Sequence, residues 1–232
     1  MPPSADAYTY KHFYTDALAV LDHLGIAKAH FVGLSMGSYS SLHVALNAPA
    51  RMLSMTLAGV GSGSSLEHLD AFRQQCRETA EQFEAIGSAE VAKVTRDAPG
   101  RIPFLVKDPR GHADFYAALA RHDARGSANT MRSFQGGRPS IYTMAEAINK
   151  VATPALIICG DEDDNCVAPS LFLKQHLPAW CASVSDAEDV TAPSRRGSAE
   201  THPARRTCSR TTRAGSAAPA GRNCRARPRA PS

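Results

Sequence analysis

Gly33-Leu34-Ser35-Met36-Gly37 has the residue types and spacing of a covalent active site. A serine with glycine two positions to either side can occupy the tip of a tight strand-to-helix turn, its hydroxyl exposed and its backbone strained. The helix that follows presents unpaired N–H groups at its first turn. The N–H of Met36 would then stabilise negative charge developing on a nearby oxygen. This combination suits attack of Ser35 on an ester-like carbonyl and passage through an acyl-enzyme. A second stretch with chemical potential is the acidic run Asp161-Glu162-Asp163-Asp164.

The pentapeptide recurs by chance, so its meaning depends on the elements around it. Residues 12–25, HFYTDALAVLDHLG, place Phe13, Ala17, Leu18, Leu21 and Leu24 at helical spacing, with Gly25 as the C-terminal stop. AHFVGLS then reads as a short apolar strand, the stretch 37–47 as a helix, and MLSMTLAGVG (52–61) as a second strand. Strand, turn, helix, strand predicts two adjacent parallel strands joined by a crossover. Residues 64–150 are helical in pattern with no convincing strand, and TPALIICG (153–160) gives a third strand running into the acidic loop. Another helix, SLFLKQHL, follows Pro169.

Composition bounds the rest. The 232 residues suffice for one domain with a core. No apolar run approaches the roughly 20 residues needed to cross a bilayer, and the N-terminus lacks the pattern of a signal peptide. The six cysteines show no paired metal or redox spacing, which suggests a reducing cytoplasm. The net charge of +4 is uneven: ten arginines against four acids give +6 over residues 182–232, leaving −2 for the remainder. Residues 182–232 contain no Leu, Ile, Met, Phe, Tyr, Trp or Lys, and a disordered tail is predicted from residue 181 onward. The abrupt shift also has the composition expected of a lost reading frame near Trp180. The tail lacks interleaved aromatics, so nucleic-acid binding is not expected.

LDHLGIAKAHFVGLSMG and TPALIICGDEDD together resemble the α/β-hydrolase family, the first its helix, strand and nucleophile elbow, the second its penultimate core strand and acid loop. The stretch NTMRSFQGGRPSIYTM resembles the return of that family's helical lid to the core. The resemblance covers residues 7–179. It implies an incomplete α/β-hydrolase fold: a small parallel sheet of three strands with flanking helices, core segments at 1–63 and 151–180, a lid at 64–150, and the tail. It also implies a triad in the order Ser, acid, His, acting on a small ester, lactone or related substrate without metal or organic cofactor. Ser35 matches the nucleophile and Asp163, three residues after Gly160, the acid; Asp161 is the runner-up. The base has only weak candidates. His202 follows the acid but no strand precedes it, and His176 comes too soon, within a helix; His30 and His43 precede the acid. The alternative reading is therefore a truncated or frameshifted pseudo-enzyme. Within the insert, Phe115, Met131, Phe134 and Tyr142 suggest a mainly apolar substrate pocket.

Overall fold

The computed structural model describes residues 1–178 and 180–185. Helix α1 (Tyr10–His23) leads to strand β1 (Ala29–Leu34), which turns at Ser35 into α2 (Met36–Asn47) and continues to β2 (Met52–Ala58). The insert holds α3 (Leu69–Thr95), α4 (Ile102–Lys107), α5 (Pro109–Leu119), α6 (Ala124–Asn129), a π-helical turn (Thr130–Gln135) and the short α7 (Ala145–Ile148). Strand β3 (Ala155–Gly160), α8 (Asp164–His176) and β4 (Trp180–Ser185) complete the described residues.

Local sequence explains most boundaries. α1 stops where Gly25 takes φ +65°, with the N–H of Ile26 donating to Leu21 O at 2.8 Å and that of Gly25 to Asp22 O at 3.1 Å. This is the double hydrogen bond of a glycine-terminated helix. α3 breaks at Gly87, whose φ 74° and ψ 165° are non-helical, before resuming to Thr95. α8 begins at Asp164 rather than after Pro169, and the proline is carried inside the helix.

The four strands are parallel in the order β1-β2-β3-β4. This corrects two expectations from the sequence: the sheet has four strands rather than three, and the tail predicted from residue 181 is ordered as strand through Ser185. β4 pairs with β3 from Ala155↔Trp180 to Gly160↔Ser185. The partners there are backbone amides, and an apolar-residue count is blind to them. The remainder of the tail lies outside the described residues.

One face of the sheet carries the core. Met55, Leu57 and Ile157 pack with Leu42 and Val44 of α2 and with Leu173 of α8, all buried. Tyr10, Phe13, Tyr14 and Leu18 cover that cluster from α1. Phe134, Ile141 and Ile148, from the end of the insert, belong to the same cluster, whereas Ala80, Phe83, Val91 and Ala128 form a second cluster within the insert. On the opposite face Val32 is 80% exposed, and β1 has no strand beyond it among the described residues. Because the strands are parallel, the loops after β1, β2 and β3 all emerge at one edge of the sheet, where functional loops collect in α/β folds.

Candidate active site

At the end of β1 the chain turns at Ser35 with φ 51° and ψ −106°, the only positive φ outside glycine among the described residues. Such a conformation costs on the order of 1–3 kcal/mol and must be held by its surroundings. Hydrogen bonds from three residues hold it. The N–H of Ser35 donates to Ala58 O at 2.9 Å, tying the turn to β2. The buried hydroxyl of Ser38 lies 2.7 Å from Gly33 O and 2.8 Å from Ala58 O, spanning the turn from inside. The N–H of Tyr39 donates to Ser35 O at 3.1 Å, starting α2. Met36 is the first residue of α2, a position whose N–H has no intrahelical acceptor.

The two glycines differ in what they do. A Cβ on Gly33 would lie 2.2 Å from the carbonyl carbon of Gly37, so the turn closes only with glycine there. A Cβ on Gly37 would meet nothing within 4 Å. The steric reason read from the sequence for both glycines therefore holds for Gly33 alone.

The acidic loop follows β3 at the same edge. Of its four acids only Asp163 is half-buried; Asp161, Glu162 and Asp164 are exposed. Lys107 of α4 bonds Glu162, linking the insert to the loop. The Cys166 thiol is raised by its burial and by the charge and hydrogen bond of the Asp163 carboxylate, which places that carboxylate on the inner side of the loop. Ser35 follows β1 and Asp163 follows β3, and in the sheet these two strands are separated by β2 alone.

The histidines named from the sequence lie elsewhere or outside the described residues. His30 Nδ1 lies 2.7 Å from Ser54 Oγ, and His176 Nδ1 lies 3.0 Å from Asn149 Oδ1. His43 is buried among the rings of Tyr10, Tyr14 and Tyr39, its Nε2 without a hydrogen-bond partner, and burial lowers its pKa to about 4. His202 lies outside the described residues. Among the described residues the Ser35 hydroxyl makes no hydrogen bond, and no group of His, Cys, Asp and Glu could hold a metal ion.

A cavity of about 640 Å³ separates the elbow from the insert. Met36 reaches it from the elbow, Phe13 from α1, and Phe83, Leu119, Met131 and Gln135 from the insert. Of the four insert residues proposed as pocket walls, only Met131 lines it. Phe134 is fully buried in the core, Phe115 packs on Phe104 and Tyr116, and Tyr142 packs on Phe172. A larger cavity of about 1240 Å³, lined by Ala45, Pro49 and Pro154, lies near the opposite ends of the strands, away from Ser35.

A profile of the alpha/beta hydrolase fold matches residues 1–184. The chain belongs to the α/β-hydrolase family. It is 28% identical over 184 residues to 3-oxoadipate enol-lactonase 1 of Acinetobacter baylyi, an alignment covering 79% of this chain and 65% of that protein. The chain thus spans 65% of the length of this curated relative. Among solved structures, MenH from S. aureus superposes with a TM-score of 0.70 at 17% identity, over 79% of this chain and 68% of that one. The enol-lactonase from Burkholderia xenovorans superposes at 0.64 with 20% identity, over 82% and 68%. These two likenesses show the fold.

Within this α/β hydrolase the sequence reading passed over Ser38, Gln135 and Arg138. Arg138 is 8% exposed, donates to Ser62 O at 2.5 Å and to Gln135 Oε1, and lies over the rings of Tyr39, Phe72 and Phe134. It joins the end of the insert to the loop after β2. No spacing rule marks Arg138, because it meets Ser62 across 76 positions of chain and otherwise lies over aromatic faces. Among the described residues no helix is long and apolar enough to cross a membrane.

Proposed function

We propose that this chain acts as a serine hydrolase on small ester or lactone substrates, through an acyl-enzyme formed on Ser35. The observation that carries the reading is the strained turn of Ser35, φ 51° and ψ −106°, between a parallel strand and a helix. A fold holds a non-glycine residue there against its preference when the exposed hydroxyl has a task. In this reading the Met36 N–H receives the developing oxyanion. Asp163 orients a histidine and stabilises its protonated form, and the 640 Å³ cavity takes the acyl group. The enol-lactonase relative supports the choice of ester and lactone carbonyls. The reaction needs no metal or cofactor. Cys76, Cys159 and Cys166 are free and buried, in keeping with a cytoplasmic protein.

The base assigned to this mechanism is His202. A second reading, a catalytically incomplete hydrolase, rests on the sequence, where no apolar strand precedes His202. Loss of a triad member costs on the order of 10⁴–10⁶ in turnover. Fluorophosphonate labelling and p-nitrophenyl acetate hydrolysis by wild type, Ser35→Ala and His202→Ala separate the two. An active base predicts labelling at Ser35 and loss of both signals in either variant. No labelling of the wild type leaves the incomplete hydrolase.

A further inference from the structure

We propose that the side-chain amide nitrogen of Gln135 is a substrate-binding donor, selecting acyl substrates that carry a second carbonyl-type oxygen, keto or carboxylate, beyond the bond to be cleaved. This rests on the reading of the 640 Å³ cavity as the acyl site and deepens it. Gln135 ends the π-helical turn Thr130–Gln135, closed by the Gly136 N–H donating to Met131 O at 2.9 Å. Such turns are uncommon and recur at functional sites.

The orientation of the amide follows from its neighbour. Arg138 bonds Gln135 through the carbonyl oxygen, and a guanidinium has donors only. An amide turned the other way would set donor against donor, so Oε1 must face Arg138 and Nε2 must face away. Nε2 makes no hydrogen bond among the described residues, and Gln135 is one of the residues that line the cavity, so we assign Nε2 to face it.

The surroundings make that donor selective. Phe13, Phe83, Leu119, Met131 and Met36 give the cavity an apolar stretch of wall, with Tyr8, Arg121, His122, Asp123, Ser127 and Thr130 as its other polar side chains, so a directed donor at Gln135 helps to fix the pose of whatever enters. Arg138 is buried and has no carboxylate partner among the described residues, so its charge is screened chiefly by aromatic faces. A hydrogen bond from a charged donor onto Oε1 polarises the amide and strengthens its N–H groups as donors. The same positive field favours an oxygen acceptor, neutral or anionic, over a cationic group.

The test is a binding comparison that needs no turnover. 4-Oxopentanamide and pentanamide differ only by a keto oxygen, and each is titrated into the wild-type chain, Gln135→Leu and Gln135→Glu by calorimetry or NMR. One hydrogen bond in this setting corresponds to a preference of roughly 5–10-fold for the keto compound. The expected result is that preference in the wild type and its loss in both variants. Gln135→Glu keeps the shape and removes the donor, so it separates the hydrogen bond from packing. Equal binding of the two compounds by the wild type, or a preference that survives in both variants, overturns the assignment. Failure of Ser35 to react with fluorophosphonate would instead count against the serine-hydrolase reading and leave this ratio untouched.

Discussion

The hydroxyl of Ser38 lies 2.7 Å from the carbonyl oxygen of Gly33, so the residue three positions after Ser35 braces the residue two positions before it. The same hydroxyl lies 2.8 Å from Ala58 O, which also accepts the N–H of Ser35 at 2.9 Å. Ser38→Ala removes this brace without adding bulk and leaves buried carbonyls short of a donor. We expect a loss of about 1–3 kcal/mol, read as a lower urea midpoint at unchanged m-value. An unchanged midpoint would show that the turn is held without it.

The glycines of the elbow should respond in opposite ways. Gly33→Ala sets a Cβ 2.2 Å from backbone atoms of α2 that cannot move without opening the turn. The expected cost is about 3 kcal/mol or more. Gly37→Ala enters open space in the first turn of α2, and removing glycine from a helix gains up to about 1 kcal/mol. Thermal melts of the two variants test the contrast, and equal losses would contradict the geometry.

His43 should make the fold acid-sensitive. Its folded pKa lies at about 4, below its ordinary 6.5, because it is buried among Tyr10, Tyr14 and Tyr39. The unfolded chain therefore takes up the proton at higher pH than the folded one. The full stability is present above pH 6.5, falls as the pH drops towards 4, and levels off below. Between pH 7.5 and 5 the expected loss is about 2 kcal/mol. His43→Phe keeps an aromatic ring and sacrifices no hydrogen bond at Nε2, so its stability over the same range should be flatter by that amount. Parallel pH profiles would assign the acid sensitivity elsewhere.

The open edge and face of β1 should govern solution behaviour. Val32 is 80% exposed on a strand with no neighbour on one side among the described residues. Such an edge is a template for further pairing, and charge blunts it. Val32→Lys should lower light scattering at high protein concentration and leave the melting temperature within about 2 °C. Undiminished scattering would place the sticky surface elsewhere.

The sequence showed the parts of the site that local constraints dictate. A serine flanked by small residues between an apolar strand and an amphipathic helix has one well-populated backbone solution, so Ser35 and Met36 were legible from spacing. Gly25 was legible as a helix stop because positive φ excludes most side chains. Asp163 was singled out by its distance from Gly160, and the structure adds that it is the half-buried member of its loop. Strand β4 was not legible, because the change of composition after Trp180 obscured a six-residue segment that pairs with β3 through backbone groups.

By itself, then, the sequence determined the order of elements up to β4 and the elbow, since each rests on periodicity or steric limits within a few residues, and it carried the resemblance to the family. The tertiary structure decided which glycine the turn requires, which insert residues face the cavity, and that Arg138 holds Gln135 beneath it. It also showed that Phe134 is core rather than pocket. Some of the contacts behind this packing join groups far apart in the chain, as Arg138 meets Ser62 across 76 positions and Tyr39 meets Pro139 across 100. Such meetings are set by packing, which no local pattern encodes.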